Sequence, residues 1–189
     1  MCRNFVPLLL CCLLTTLLGC NKRETPPPSP RAACALITLE EIQTVQASPF
    51  KEAKSSARSD AGFRVSQCFY TATEFSKSVN LAVVQRDPDH PGKRSPKDFW
   101  KEKFGRYSGE EQAEDGKSSE RKEEKEESVR PKKIDGIGDQ AFWVSSRFGG
   151  TLYVLKGDTF ISIGVGGMDD QETKLKKSKA LAEKALQRL

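Results

Sequence analysis

Histidine is almost missing from this chain of 189 residues: His90 stands alone. It sits between Asp89 and Pro91 in a stretch that reads as a loop, a poor place for the positioned base of a Ser-His-Asp arrangement. Zinc is held by several His and Cys ligands, and the chain offers neither a second histidine nor a Cys-x-x-Cys pair. Paired carboxylates remain for acid–base work, yet the acids gather between residues 110 and 133 rather than around a fold element. No charge sign dominates either: 31 basic and 26 acidic residues leave a net +5, too mild to argue for nucleic acid. No apolar run is long enough to cross a bilayer. The run Phe5–Leu18 is about 14 residues, broken by Thr15 and Thr16 and shortened by Pro7, against roughly 20 needed. These shortages point away from an enzyme, a metal centre, a bound cofactor or a nucleic-acid partner.

What the N-terminus does have is the three-part build of a secretory signal: Arg3, the apolar core, and the small Gly19. Leu17, Leu18 and Gly19 followed by Cys20 resemble the bacterial lipoprotein signal. That resemblance implies a diacylglyceryl thioether on Cys20 and cleavage before it. One acyl chain binds a membrane weakly, whereas two or three hold it almost permanently. Asn21 resembles the residue found in lipoproteins sent to an outer membrane. The implied location is membrane-anchored and extracytoplasmic, on the outer membrane facing the periplasm if the cell has two membranes. Residues 1–19 read as the signal peptide, 20–33 as the lipidated Cys20 with a proline-rich spacer (Pro26, Pro27, Pro28, Pro30), and 34–189 as one domain. About 155 residues are enough to bury a core.

Cys2, Cys11 and Cys12 leave with the signal and Cys20 carries lipid, so Cys34 and Cys68 remain as an even pair. An oxidising compartment favours a disulfide between them, closing about 35 residues and adding roughly 3–4 kcal/mol by the chain-entropy argument. A redox or metal pair is the rival reading.

Along the domain, Thr38 and Glu41 have the spacing of a capping box, with Ile37 and Ile42 at the staple positions and Ser48-Pro49 as the stop. Residues 51–61 are small and polar and read as a loop. Phe63–Tyr70 and Val79–Gln85 read as strands of a hairpin. Ser95-Pro96 opens a second helix with Asp98 in its first turn, placing Phe99, Trp100, Phe104 and Tyr107 toward a sheet. Residues 110–133 carry nine acidic and seven basic side chains with only Ala113 and Val129 apolar, so they read as a solvated surface loop. Gly136, Gly138 and Ala141 match GxGxxA, but a dinucleotide fingerprint follows a strand and opens a helix; here a turn feeding a strand fits better. Phe142–Arg147, Thr151–Lys156 and Thr159–Val165 read as a meander with turns at Phe148-Gly149-Gly150 and Gly157-Asp158. The last strand leaves so little polar surface that it belongs in the middle of a sheet. A final helix starts at an Asp169/Glu172 cap. It carries an apolar stripe (Leu181, Ala182, Ala185, Leu186, Leu189) opposite Lys174, Lys176, Lys177 and Lys184. Packing on the sheet is the expected use of that stripe. The fold class expected is α+β: one domain, an antiparallel sheet of about five strands backed by two or three helices.

This order resembles a family of small bacterial lipoproteins of unknown function. The resemblance rests on Cys34 ahead of Leu36-Ile37-Thr38-Leu39-Glu40-Glu41, on Ser66-Gln67-Cys68, and on Gly136-Ile137-Gly138-Asp139 leading into Ala141-Phe142-Trp143. Tyr70 stands where the family pattern has tryptophan. The resemblance implies an antiparallel sheet backed by helices and supplies no reaction. The function expected is a non-catalytic binding or accessory module with an envelope protein as partner. Contacts are expected around Tyr107, the 110–133 loop, and Gly164, Gly166 and Gly167. A small-ligand carrier and an envelope enzyme are the alternatives.

Overall fold

The computed structural model describes residues 30–108, 130–146 and 149–189. Seven antiparallel strands make one sheet: β1 (Phe50–Asp60), β2 (Phe63–Ala72), β3 (Val79–Arg86), β4 (Lys132–Lys133), β5 (Gln140–Ser146), β6 (Gly149–Lys156) and β7 (Thr159–Val165). Their order is β1-β2-β3-β7-β6-β5-β4, so the apolar β7 lies in the middle as its composition required. Three α-helices cover the sheet, α1 (Leu39–Gln46), α2 (Pro96–Ser108) and α3 (Gln171–Leu186). The α+β architecture stands, with seven strands rather than about five.

The two extra strands have a common cause. Residues 51–60 are exposed on both sides of β1, so nothing selects an apolar/polar alternation there, and the segment is a strand rather than the loop its composition suggested. Its pairing with β2 runs from Phe50 to Asp60 and closes through Ala61 and Gly62, both at positive φ (49° and 86°), a two-residue primed hairpin turn. β4 is two lysines paired with Trp143 and Phe142, visible only once β5 is in place.

Side chains alternate across the sheet. One face carries Cys68, Tyr70, Leu81, Val83, Ile161, Ile163, Leu152, Val154 and Trp143, packed beneath α1 and α3. The other face carries Phe142, Leu155 and Phe160 beneath Trp100 and Phe104 of α2. Leu181, Ala182 and Ala185 are fully buried, so the α3 stripe packs on the sheet. Lys174, expected on the polar side of α3, is buried with its Nζ beside Gly149. The α3 cap is Asp170 rather than Asp169. Asp170 has the extended backbone of a cap and accepts the Thr173 N–H at 2.7 Å, while Asp169 accepts from Lys177 Nζ at 2.6 Å.

Local signals elsewhere act as written. Thr38 Oγ1 accepts the Glu41 N–H and Glu41 Oε2 accepts the Thr38 N–H at 3.0 Å, between buried Ile37 and Ile42. Ser95 and Asp98 exchange the same pair of bonds ahead of Pro96. Gly138 (φ 60°) turns the chain into β5 where any Cβ would strike Val154 and the Leu155 carbonyl, and Asp139 accepts the Gly157 N–H at 2.6 Å. Cys34 and Cys68 are disulfide-bonded with Cα atoms 5.0 Å apart, tying the 3-10 turn Ala33–Ala35 to β2.

Arg188, just past α3, donates both guanidinium arms to Glu41 at 2.8 Å, joining the end of the domain to its first helix. The Arg188 bond, then the Thr38 N–H, holds the Glu41 carboxyl at about 2, down from 4.5. A lowered carboxyl stabilises the fold above its unfolded pKa, and that contribution is lost as pH falls from 4.5 toward 2. Glu41→Gln keeps the cap and removes the ion pair. It is expected to cost about 1–2 kcal/mol at pH 7, allowing for solvent screening around half-exposed Arg188. Urea titrations at pH 7 and near pH 2 test it: the wild type should lose more stability between them than the variant.

Candidate functional site

Gln46, the last residue of α1, is buried and its amide locks two loops together. Nε2 donates to the Lys77 carbonyl at 2.7 Å and to the Gly166 carbonyl at 3.2 Å. The Gly166 N–H donates to the Ser78 carbonyl at 2.9 Å, and a Cβ on Gly166 would fall on the Ser76 carbonyl oxygen. Only glycine permits this approach of the β2–β3 loop to the β7–α3 loop. On this fixed base Phe75 is 71% exposed and Met168 is 94% exposed, and the Phe75 ring lies 6.0 Å from that of Phe69 in β2. Ion pairs flank them, Lys77 with Glu74 at 2.8 Å and Lys177 with Asp169 at 2.6 Å. Exposed apolar side chains rimmed by charge have the composition of a protein contact.

The other expected contact residues fall into two places. Tyr107 is half-buried at the end of α2, on the face of the sheet where Gly164 pairs with Asn80 and Thr151. The α2 cluster takes in Phe142, Leu155 and Phe160 with Val84, Val144 and Tyr153; Gly164 lies on the same face, half-buried and paired with Thr151. Gly166 and Gly167 belong instead to the locked loop, and Gly166 is closed over by Ser76. The charged segment falls for the most part outside the described residues; its end forms β4.

His90 is on the surface, its Nδ1 3.8 Å from the buried Asp87 carboxylate. The Ser59 hydroxyl, helped by the Asp89 and His90 N–H groups, holds that carboxyl below its usual range. Asp87 therefore shapes the loop and is a weak base. Tyr70 donates its hydroxyl to the Ile37 carbonyl at 2.8 Å. Burial, then the Glu41 charge, pushes it up to about 12. It is a core hydrogen bond, far from proton transfer at neutral pH.

Two open clefts flank the sheet at the end opposite Phe75. One, about 440 Å³, lies between Pro30, Gln85, Asp87, Pro91 and Asp158. The other, about 400 Å³, runs between Trp100, Lys101 and Gly105 of α2 and Gln140 of β5. Among the described residues no three His, Cys, Asp or Glu side chains converge to hold a metal ion, and no helix is long and apolar enough to cross a membrane.

Phe75, Met168 and Gln46 had no place in the sequence reading. A signal existed for the first two: each is a single large apolar residue in a polar or glycine turn, with no partner at helix or strand spacing. Gln46 gave none, because its bonds go to carbonyls 31 and 120 positions away. Compared with protein families, curated proteins and solved structures, the chain matches none.

Proposed function

We propose that this chain is a lipid-anchored extracytoplasmic protein, held to a membrane through Cys20, that works as a non-catalytic binding or accessory module in the cell envelope. One observation carries the binding part: Phe69 of β2 and Phe75 of the β2–β3 loop stand exposed with their rings 6.0 Å apart, at the end of the sheet where the β7–α3 loop leaves Met168 exposed, and Gln46 and Gly166 fasten those two loops together. A preorganised apolar patch loses little entropy when a partner covers it. The chain enters the domain at the other end, where the Arg31 N–H donates to Gln85 Oε1 at 2.8 Å. The tether therefore joins the domain at the end away from these side chains. The ten residues from Cys20 to Pro30 reach at most about 35 Å, which keeps the domain's point of entry close to the membrane that holds Cys20. The sequence of the signal and the export-compatible disulfide support the location.

Two experiments test the reading in separate parts. Cys20→Ala is expected to move the protein from the membrane fraction to the soluble fraction; retention on membranes in high salt would remove the lipid anchor from the account. A photo-crosslinking side chain at position 75 should give a discrete adduct in intact cells, and one placed at exposed Lys93 should not. Equal labelling at both sites would argue against a contact at this end.

A further inference from the structure

The two edges of the sheet are built differently. β4 ends it with two lysines, a short charged edge of the kind that discourages pairing. β1 ends it with eleven residues, no proline, and ten consecutive exposed positions. Among the described residues nothing pairs with its outer side. The register with β2 fixes which backbone groups that side presents. Asp60 and Phe63 flank a two-residue turn and so bond each other, which turns the even-numbered residues of β1 toward β2 and the odd-numbered ones outward. The N–H and C=O groups of Ala53, Ser55, Ala57 and Ser59 form the free ladder.

We infer that β1 is a homodimer interface, pairing antiparallel with β1 of a second copy about a two-fold axis through Ser55 to continue the sheet across both chains. The sequence is self-complementary about that residue. Ser55 meets Ser55 of the other copy, Ala53 meets Ala57, and Glu52 meets Arg58, twice by symmetry. Opposed residues share a face in an antiparallel pair, and Glu52 and Arg58 lie on the α2 side, cross-strand from Thr71 and Val65. Glu52 already holds Lys54 at 3.0 Å on the same side, and the second copy's Arg58 adds a cation from across the seam. Axes through Lys54 or Ser56 are disfavoured by charge: the first opposes Lys54 to itself, and the second opposes Lys54 to Arg58 and Glu52 to Asp60. On the opposite face the seam holds only Ala53, Ser55 and Ala57, cross-strand from Tyr70, Cys68 and Ser66, so nothing bulky separates the two strands. Pairing over Ala53–Ala57 closes about six N–H···O bonds. The hairpin turn and the shift of register at Phe50/Glu52 bound the usable length, matching the two ends across the axis. An axis normal to the sheet also leaves both Pro30 residues on one side, since each chain enters beside Gln85 and Ser66 on the α1/α3 face. Both lipid tethers then reach a single membrane; this last point rests on the anchoring proposed above, whereas the pairing does not.

The test uses the full chain in its own envelope. Ser55→Cys puts two thiols opposite each other on the axis and is expected to give a disulfide-linked dimer on non-reducing gels. Ser59→Cys, on the same exposed strand but off the axis, is expected to give at least tenfold less. Glu52→Arg combined with Ser55→Cys should lower the dimer fraction several-fold, and adding Arg58→Glu should restore it. Ala53→Cys and Ala57→Cys chains expressed together should crosslink to each other far more than either does alone. No crosslink at position 55, equal crosslinking at 55 and 59, or failure of the second charge reversal to rescue would each overturn the pairing. Because Cys20→Ala leaves β1 intact, a soluble variant that still crosslinks at 55 separates loss of the anchor from loss of the dimer.

Discussion

Removing the Cys34–Cys68 bond, by reductant or by Cys34→Ala with Cys68→Ala, is expected to lower the unfolding free energy by about 3–4 kcal/mol. The bond spans a sequence separation of 34, and most of its effect comes from restricting the unfolded chain. The native contacts it supports add to this. Cys68 is fully buried between Ser66 and Tyr70, and the Ser66 hydroxyl accepts the Ala33 N–H at 2.9 Å. Buried Ala33 and Leu36 and the Arg188 bond to the Leu36 carbonyl also hold this short 3-10 turn, so the entry to α1 is expected to stay docked without the crosslink. For a domain of about 150 residues, 3–4 kcal/mol corresponds to a fall in Tm of roughly 10 °C. Urea unfolding with and without reductant measures it, and the double-alanine chain should be insensitive to reductant. An unchanged midpoint in the wild type would mean that this bond does not constrain the chain in solution.

What could be read from the sequence divides by range. Thr38 with Glu41 and Ser95 with Asp98 act within one helical turn, so their caps were legible without any knowledge of the sheet. The position of β7 was legible because Phe160, Ile161, Ile163 and Val165 leave both faces apolar, a composition that only a covered central strand tolerates. β1 was not, because an edge strand with both faces in water needs no pattern; its order comes from pairing with β2. The α3 cap was read one residue early, at Asp169, because the local spacing does not separate two adjacent aspartates; in the fold Asp170 caps and Asp169 pairs with Lys177. The candidate contact end was the least legible part. Gly166 is written as an open glycine in the sequence and is the tightest packed of its neighbours in the fold, since what it approaches, Ser76, lies on another loop.

Trp100→Ala is expected to be as damaging as loss of the disulfide, about 3–5 kcal/mol. The indole sits 4.6 Å from the Phe104 ring and 5.9 Å from Phe142 and Phe160, and its Nε1–H donates to Gln140 Oε1 at 2.8 Å. Truncation opens a hole that three rings on two different layers cannot all move to fill. Trp100→Phe keeps most of the packing and gives up the hydrogen bond to Gln140, which is half-exposed and can turn to water, so about 1–2 kcal/mol is expected. The remaining indole, Trp143, lies on the other face of the sheet under α3, which makes Trp100→Ala its own reporter. Phe142, Leu155 and Phe160 of the α2 layer alternate along β5, β6 and β7 with Trp143, Val154 and Ile161 of the α3 layer. A strand that loses its footing on one face therefore loses it on both, and Trp143 fluorescence should report a single urea transition coincident with far-ultraviolet circular dichroism. Separate transitions would mean that α2 can detach while the α1/α3 layer stays folded.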